Sequence, residues 1–227
     1  MASTRERILS VSLQLFNSRG ERSVTTNHIA AELGISPGNL YYHFRNKQAI
    51  IEELYRDHRE DVLSRMTLAP NGKFSMDDKA TLFAHLTQAL WAYRFFYRDT
   101  EHILSESPEL AAQHKATFHA VFEKSCLLHQ ALVAAGLMQT TPDIQRDLSY
   151  NAWIVLTNWI TFVRTTLNVD ADRLGEALVR RAVYQVLMLE RPYMTETAQQ
   201  QLDHLASNYY LDLAPFHQPG EAADDAH

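Results

Sequence analysis

The sequence predicts an all-α protein: an N-terminal three-helix helix-turn-helix head followed by a larger C-terminal helical bundle, about nine to ten helices in total. Two observations carry the fold class. Among 227 residues there are only 7 Gly and 7 Pro, and runs rich in Leu, Ala, Gln and Glu leave almost no stretch in which Val, Ile and Thr alternate as in a strand. A third observation, uneven charge, divides the chain. Residues 1–50 hold six cations (Arg5, Arg7, Arg19, Arg22, Arg45, Lys47) against three acids (Glu6, Glu21, Glu32), a net of +3, so a chain of net charge −6 carries −9 in the remainder. A small basic head on an acidic body is the pattern that local phosphate binding requires.

In the head, Ile8, Val11, Leu15 and Phe16 follow helical spacing after a cap at Ser3 or Thr4, and Gly20 closes this first helix, about 3–18. A threonine cap in Val24-Thr25-Thr26 leads into a second helix of about two turns, with Ile29, Ala30 and Leu33 on one side and Gly34 at its end. Ser36 then caps a third helix, with Pro37 at the first position, where the missing N–H costs nothing. Helix, tight glycine turn and short helix make a helix-turn-helix unit. In the third helix Leu40 and Phe44 lie four residues apart and anchor one face, leaving Gly38, Asn39, Tyr41, Tyr42 and His43 outward. Such residues are wasted in a core and useful in a DNA groove.

The stretch "TTNHIAAELGISPGNLYYHFRNKQAIIEELY", residues 25–55, resembles the DNA-binding signature of the TetR family of bacterial transcriptional regulators. The likeness covers roughly residues 5–60. It implies a homodimer whose recognition helices enter successive major grooves of a double-stranded palindromic operator, with a separate helical domain for a small-molecule effector. Carried over by position, the family's DNA contacts fall on Thr25, Thr26, Asn27, Ser36, Pro37, Gly38, Asn39, Tyr41, Tyr42, His43 and Lys47. By chemistry, Asn27 and Asn39 have the amide geometry for a base edge, whereas Thr26, Tyr41, Tyr42, His43 and Lys47 suit phosphate. The sequence departs from the family at Asn27, where relatives often carry a longer cation.

A long fourth helix runs from about Asn46 through Ile50, Ile51, Leu54, His58, Val62 and Met66 to the linker Pro70-Asn71-Gly72. It begins in the head and ends in the body. After Ser75, the run to Asp99 places Leu82, Phe83, Leu86, Leu90, Tyr93 and Tyr97 on one broad apolar face. Further helices are expected near 105–113, 115–135, 143–167, 172–190 and 195–209, with breaks at Pro108, Gly136, Pro142, the "NVDAD" cap and Pro192. The tail "APFHQPGEAADDAH" reads as disordered. The expected division is 1–50 for DNA, 51–214 for ligand and dimerisation, and 215–227 as a flexible tail.

"YRFFYRD" followed by "ILSESPEL" also resembles the effector-domain pattern of one TetR subgroup. Its aromatics, with others in the body, are candidates to line a cavity: Trp91, Tyr93, Phe96, Phe118, Phe122, Trp153, Trp159 and Phe162, with Asn151, Asn158 and Arg164 as orienting polar groups. The family likeness places dimerisation on helices 143–167 and 172–190, whose apolar rows (Trp153, Leu156, Ile160; Leu178, Val183, Leu187) need covering.

Other classes are disfavoured. No run reaches the roughly 18 apolar residues of a membrane span, the densest, Trp153 to Val163, being short and interrupted by Thr157, Asn158 and Thr161. "MASTRERILSVSLQLF" has charges where a signal peptide needs its apolar segment, which gives the expectation of a cytoplasmic protein with no membrane contact. The one cysteine, Cys126, excludes an internal disulfide and reads as a small buried hydrophobe. His119 and Glu123 have metal-pair spacing, with His114 a turn earlier, but read as a solvated helix face. With no phosphate-binding glycine loop and no HExxH, no cofactor and no enzymatic activity are expected. A small-molecule carrier or enzyme using the body cavity is the alternative. It leaves the outward face of the third helix unexplained.

Overall fold

The computed structural model describes residues 3–69, 71–167, 169 and 174–216, and among them are eleven α-helices and no strand. The helices are α1 Thr4–Arg19, α2 Thr26–Leu33, α3 Pro37–His43, α4 Lys47–Arg65, α5 Met76–Ala92, α6 Arg94–Arg98, α7 Thr100–Ser105, α8 Pro108–Ala134, α9 Pro142–Thr165, α10 Ala177–Glu190 and α11 Glu196–Ser207. Small polar caps set most starts: Ser3, Thr25, Ser36, Asn46, Ser75, Ser107 and Thr141 each accept a hydrogen bond from a first-turn backbone N–H. Gly34 ends α2 at φ +65°, a left-handed geometry that a residue with a Cβ resists, and so turns the chain into α3.

Three sequence expectations are corrected. The run after Ser75 is not one helix, because it breaks at Tyr93 and again at Asp99 to give the short α6 and α7. The segments 105–113 and 115–135 instead fuse into the 27-residue α8, since Pro108 sits at the first helical position behind the Ser107 cap and starts the helix rather than ending one. Ala214–Phe216, expected to belong to the disordered tail, form a 3₁₀ turn, and Phe216 packs against the core. Residues 217–227, Pro70 of the linker and most of the "NVDAD" cap lie outside the described residues.

Head and body share a core. One apolar cluster joins Ile8, Phe16, Ile29, Leu40, Phe44, Ile50 and Leu54 to Leu90, Phe95, Phe96, Ile103, Leu110, Ile160 and Leu178. A second, farther from the head, gathers Phe74, Leu82, Phe83, Leu128, Leu132, Met138, Val183, Leu187 and Leu202. The short α6 fastens the two parts. Phe95 packs on Phe16 with ring centres 5.3 Å apart, Arg98 donates from Nη2 to the Phe16 carbonyl at 2.8 Å, and Asn17 bridges the α5–α6 break. Asn17 donates from Nδ2 to the Ala92 carbonyl (2.7 Å) and accepts at Oδ1 from the Phe95 N–H (3.0 Å). One side chain thus serves the end of α5 and the start of α6, whose own N-cap has no side-chain partner.

The rows expected to need a second subunit are largely covered within the chain: Ile160, Leu178, Val183 and Leu187 are buried, while Trp153 and Leu156 are partly buried. The reason is that α9 and α10 turn these rows toward each other and toward α5 and α8. What α9 leaves outside is Tyr150, Ile154 (56% exposed) and Phe162 (40% exposed), with Leu189 outward on α10.

Candidate DNA interface and effector cavity

The outward face of α3 is built from below. Leu40 and Phe44 are buried against the head core, which fixes Tyr42 at 86% and Tyr41 at 50% exposure on the other side. Ser36 accepts from the Asn39 N–H at 3.2 Å, so the start of α3 is capped while the Asn39 side chain stays exposed. Thr25 accepts from the His28 N–H and His28 Nδ1 accepts from the Thr25 N–H, a reciprocal cap on α2. A hydrogen bond of 3.0 Å between Thr26 Oγ1 and the Tyr41 hydroxyl ties α2 to α3. Thr25, Asn27, Ser36, Pro37, Gly38 and Asn39 are exposed, while Thr26 and His43 are half-buried.

Most cations of the head are already engaged. Lys47 is not directed outward: its Nζ lies 2.5 Å from the carboxylate of buried Glu21 and donates to the Glu21 carbonyl at 3.1 Å. Arg5 pairs with Glu53, Arg19 with Glu32, and Arg22 with Asp99. Arg45, exposed immediately after α3, makes no ion pair or hydrogen bond among the described residues. The sequence reading passed over it because spacing alone cannot show which cations of a basic segment are spent on neighbouring acids.

A cavity of about 100 Å³ lies within the body, walled by α4, α5, α6, α8, α9 and α10. Along α5 its wall is apolar, with Leu82, Phe83, Leu86 and Leu90 facing Val121, Leu128, Trp153 and Leu156. Polar groups gather at the two ends. Toward the head stand Tyr55, His58, Arg59, Tyr97 and His114; away from it stand Lys79, Ser125, His129, Ser149 and Glu190.

The far end is an ion-paired network. Lys79 Nζ meets Glu190 Oε2 at 2.5 Å, His129 Nε2 lies 3.2 Å from Glu190 Oε1, and Ser149 lies 3.3 Å from His129 Nδ1 and donates to Ser125 Oγ at 2.9 Å. Burial opposes ionisation of Glu190, yet Lys79 and His129 outweigh it and hold its carboxyl well below the usual range. The head-side end is less complete. His58 Nε2 and the Tyr97 hydroxyl are 2.6 Å apart, but His58 Nδ1 is buried with no partner among the described residues. Desolvation pushes the His58 pKa down to about 3 and that of Tyr55 up to about 12, so both are neutral at pH 7. His114 Nδ1 bonds the Tyr55 hydroxyl at 3.0 Å, and burial lowers its pKa too.

Of the expected cavity residues, Trp153 lies in this wall; the others stand elsewhere. Phe96 is buried behind it among Tyr55 and His114, and Tyr93 stacks on the far side of His58 at 4.5 Å. Trp91 stacks on Arg94, while Phe118 and Phe122 cluster with Tyr150 between α8 and α9. Asn158 and Phe162 are exposed, as are Asn151 and Arg164, because the inward positions of α9 fall on Ser149, Ala152, Trp153, Leu156 and Ile160. Trp159 stacks on Phe162 at 5.4 Å. Sequence reasoning missed Lys79, His129 and Glu190, whose pairing joins three helices. A lysine and a glutamate 111 residues apart carry no local signal. Cys126 is half-buried, with Sγ 3.6 Å from Ser149 Oγ, and no cluster of metal-ligating side chains occurs among the described residues. No helix among them is long and apolar enough to cross a membrane.

A helix-turn-helix with an exposed recognition face, joined through a shared core to a helical bundle enclosing a cavity, defines a DNA-binding regulator with an effector domain. Residues 8–54 match the family described as "Bacterial regulatory proteins, tetR family", and residues 57–202 match "TetR: Bacterial transcriptional repressor". A crystal structure of a TetR-family transcriptional regulator from Marinobacter aquaeolei VT8 is 36% identical, superposes with a TM-score of 0.83, and is matched over 92% of this chain and 99% of that one. The HTH-type transcriptional repressor KstR2 of Mycolicibacterium smegmatis is 30% identical over 165 residues, 70% of this chain and 78% of the relative. The HTH-type transcriptional regulator UidR of Escherichia coli K12 is 29% identical over 181 residues, 80% and 87% of the two chains. The chain belongs to the TetR family and is a DNA-binding transcriptional regulator.

Proposed function

We propose that this chain is a homodimeric repressor that occupies a palindromic operator in the cytoplasm and is released by a mainly apolar small molecule. Residues 1–50 take the DNA and residues 51–214 the effector and the partner subunit. Base edges fall to Asn39 and Asn27 at the starts of α3 and α2. Phosphates fall to Thr25, Thr26, Ser36, Tyr41, Tyr42 and His43, with Pro37 and Gly38 permitting close approach. Arg45 takes over the phosphate role expected of Lys47, which Glu21 holds. Repression is supported by the relative named as a repressor. Dimerisation is supported by the outward Tyr150, Ile154 and Phe162 on α9.

The observation that carries the effector role is the course of α4. Ile50, Ile51 and Leu54 pack into the head core, and one turn later Tyr55, His58, Arg59 and Val62 line the cavity. A cavity of about 100 Å³ is smaller than the roughly 300–1,000 Å³ of a drug-sized site, so an entering molecule must part its walls and α4 with them. Two heads need about 34–36 Å between recognition helices to read one face of a duplex. A ligand that favours the misaligned pair on the order of 10⁴-fold, roughly 5.5 kcal/mol, empties the operator. The alternative, a carrier or enzyme, gives no use to Tyr42 at 86% exposure. Selection of duplexes from a random pool tests the proposal: enrichment of an inverted repeat bound by two chains is expected. Enrichment of nothing, or of a site lacking dyad symmetry, refutes it.

A further inference from the structure

The two polar ends of the cavity differ in what they leave unmet. At the far end Lys79, Glu190, His129 and Ser149 answer one another, with cation and carboxylate in contact. At the head-side end two groups on consecutive residues of α4 keep hydrogen-bonding capacity that no neighbour uses. His58 is 3% exposed and its Nδ1 lacks a hydrogen-bond partner. Arg59, half-buried in the cavity wall, makes no ion pair or hydrogen bond among the described residues. The nearby acid of α4, Asp57, interacts electrostatically with Arg56, Glu60 and Arg5 and does not neutralise Arg59. An orphaned buried donor or acceptor is costly, and an unpaired cation in the wall of an apolar cavity attracts an anion.

We infer that the effector is an apolar carboxylate whose carboxyl group is held by Arg59 and His58 at the head-side end of the cavity. This deepens the effector role proposed above and rests on it. With the Tyr97 hydroxyl donating to His58 Nε2, Nδ1 carries the proton and donates to one carboxylate oxygen, while the Arg59 guanidinium meets the other. The apolar body lies along Leu90, Leu86, Phe83 and Leu82 toward Lys79. From residue 90 to residue 79 the helix advances about 16 Å, which suits an extended chain or a fused-ring skeleton rather than a compact molecule. The far network, already paired, needs no polar group from the ligand.

The test uses the full chain with decanoate, 1-decanol and decyltrimethylammonium as probes. Binding is read by calorimetry and operator release by fluorescence anisotropy on a selected duplex. Decanoate is expected to bind at least tenfold more tightly than decanol, and decyltrimethylammonium more weakly than either. Arg59→Gln should reduce the decanoate-to-decanol affinity ratio from at least tenfold to about one, and Arg59→Lys should keep part of the preference. Equal binding of decanoate and decanol, or a preference indifferent to Arg59→Gln, overturns the carboxylate inference while leaving the effector role standing. If no probe binds, or probes bind without releasing the duplex, the inference falls together with the effector role it rests on.

Discussion

Replacing Asn17 with Ala should loosen the head from the body without touching either binding surface. In the structure Asn17 is buried, donates to the Ala92 carbonyl at 2.7 Å and accepts from the Phe95 N–H at 3.0 Å. Alanine leaves both backbone groups without a partner at a place where Phe16, Phe95 and Phe96 exclude water. An unsatisfied buried backbone group costs about 1–3 kcal/mol, and loss of a helix cap about 0.5–2 kcal/mol, so roughly 2–4 kcal/mol is expected after allowing for overlap. For a chain of this size each kcal/mol moves the melting temperature by about 2–4 °C, which predicts a fall of roughly 5–15 °C by scanning calorimetry. Asn17→Asp keeps the acceptor for Phe95 and loses the donor to Ala92, and should fall between the two. A melting temperature within about 2 °C of the parent for Asn17→Ala would falsify the view that this side chain fastens the two parts.

Two further outcomes follow from the charged groups. Lys47→Ala leaves the buried Glu21 carboxylate without its cation and should cost about 1–3 kcal/mol of stability, solvent at Lys47 reducing the full buried value. Arg45→Ala should leave the melting temperature unchanged and lower operator affinity equally for all sequences, with a salt slope smaller by about 1; the reverse pattern would return the phosphate role to Lys47. His58 is held neutral with a pKa pushed down to about 3, so below its ordinary value of 6.5 the unfolded chain takes up a proton that the folded chain does not. Stability should therefore decline as pH falls from 6.5 toward 3, with a slope of about 1.4 kcal/mol per pH unit from this group. Glu190, lowered from its ordinary 4.5, adds a loss below that pH. In His58→Gln the decline between pH 6.5 and 4.5 should be reduced; an unchanged urea titration series across that window would show that the ring is not buried as described.

What the sequence made legible was what neighbours in the chain decide. Ser3, Thr25, Ser36 and Ser75 announce their helices because a cap acts on residues two or three positions away, and the α3 face follows from Leu40 and Phe44 being four residues apart. The break at Tyr93 was not legible. No glycine or proline marks it, and its orphaned groups are satisfied by Asn17, 75 residues earlier. The cavity was legible as a property of the body and not as a set of residues. Aromatic composition pointed to Phe118, Phe122 and Phe162, whereas rotation of α8 and α9 against their neighbours gave the wall to Thr117, Val121, Ala152 and Leu156. Lys47 shows the same limit, since only the folded chain reveals that its charge is spent on Glu21.

The apolar cluster that runs unbroken from Ile8 to Leu178 bears on how regulators of this architecture can be recombined. A designer who cuts after residue 50 and grafts this DNA-reading segment onto a foreign sensing bundle severs Phe16 from Phe95 and leaves Asn17 facing a stranger's backbone. The transferable unit is discontinuous: α1 to the first half of α4, together with the five-residue α6 on which they rest. Swaps that carry α6 along preserve the joint that fastens the head to the bundle. Those that leave it behind should yield chimaeras that read DNA but have lost their ear.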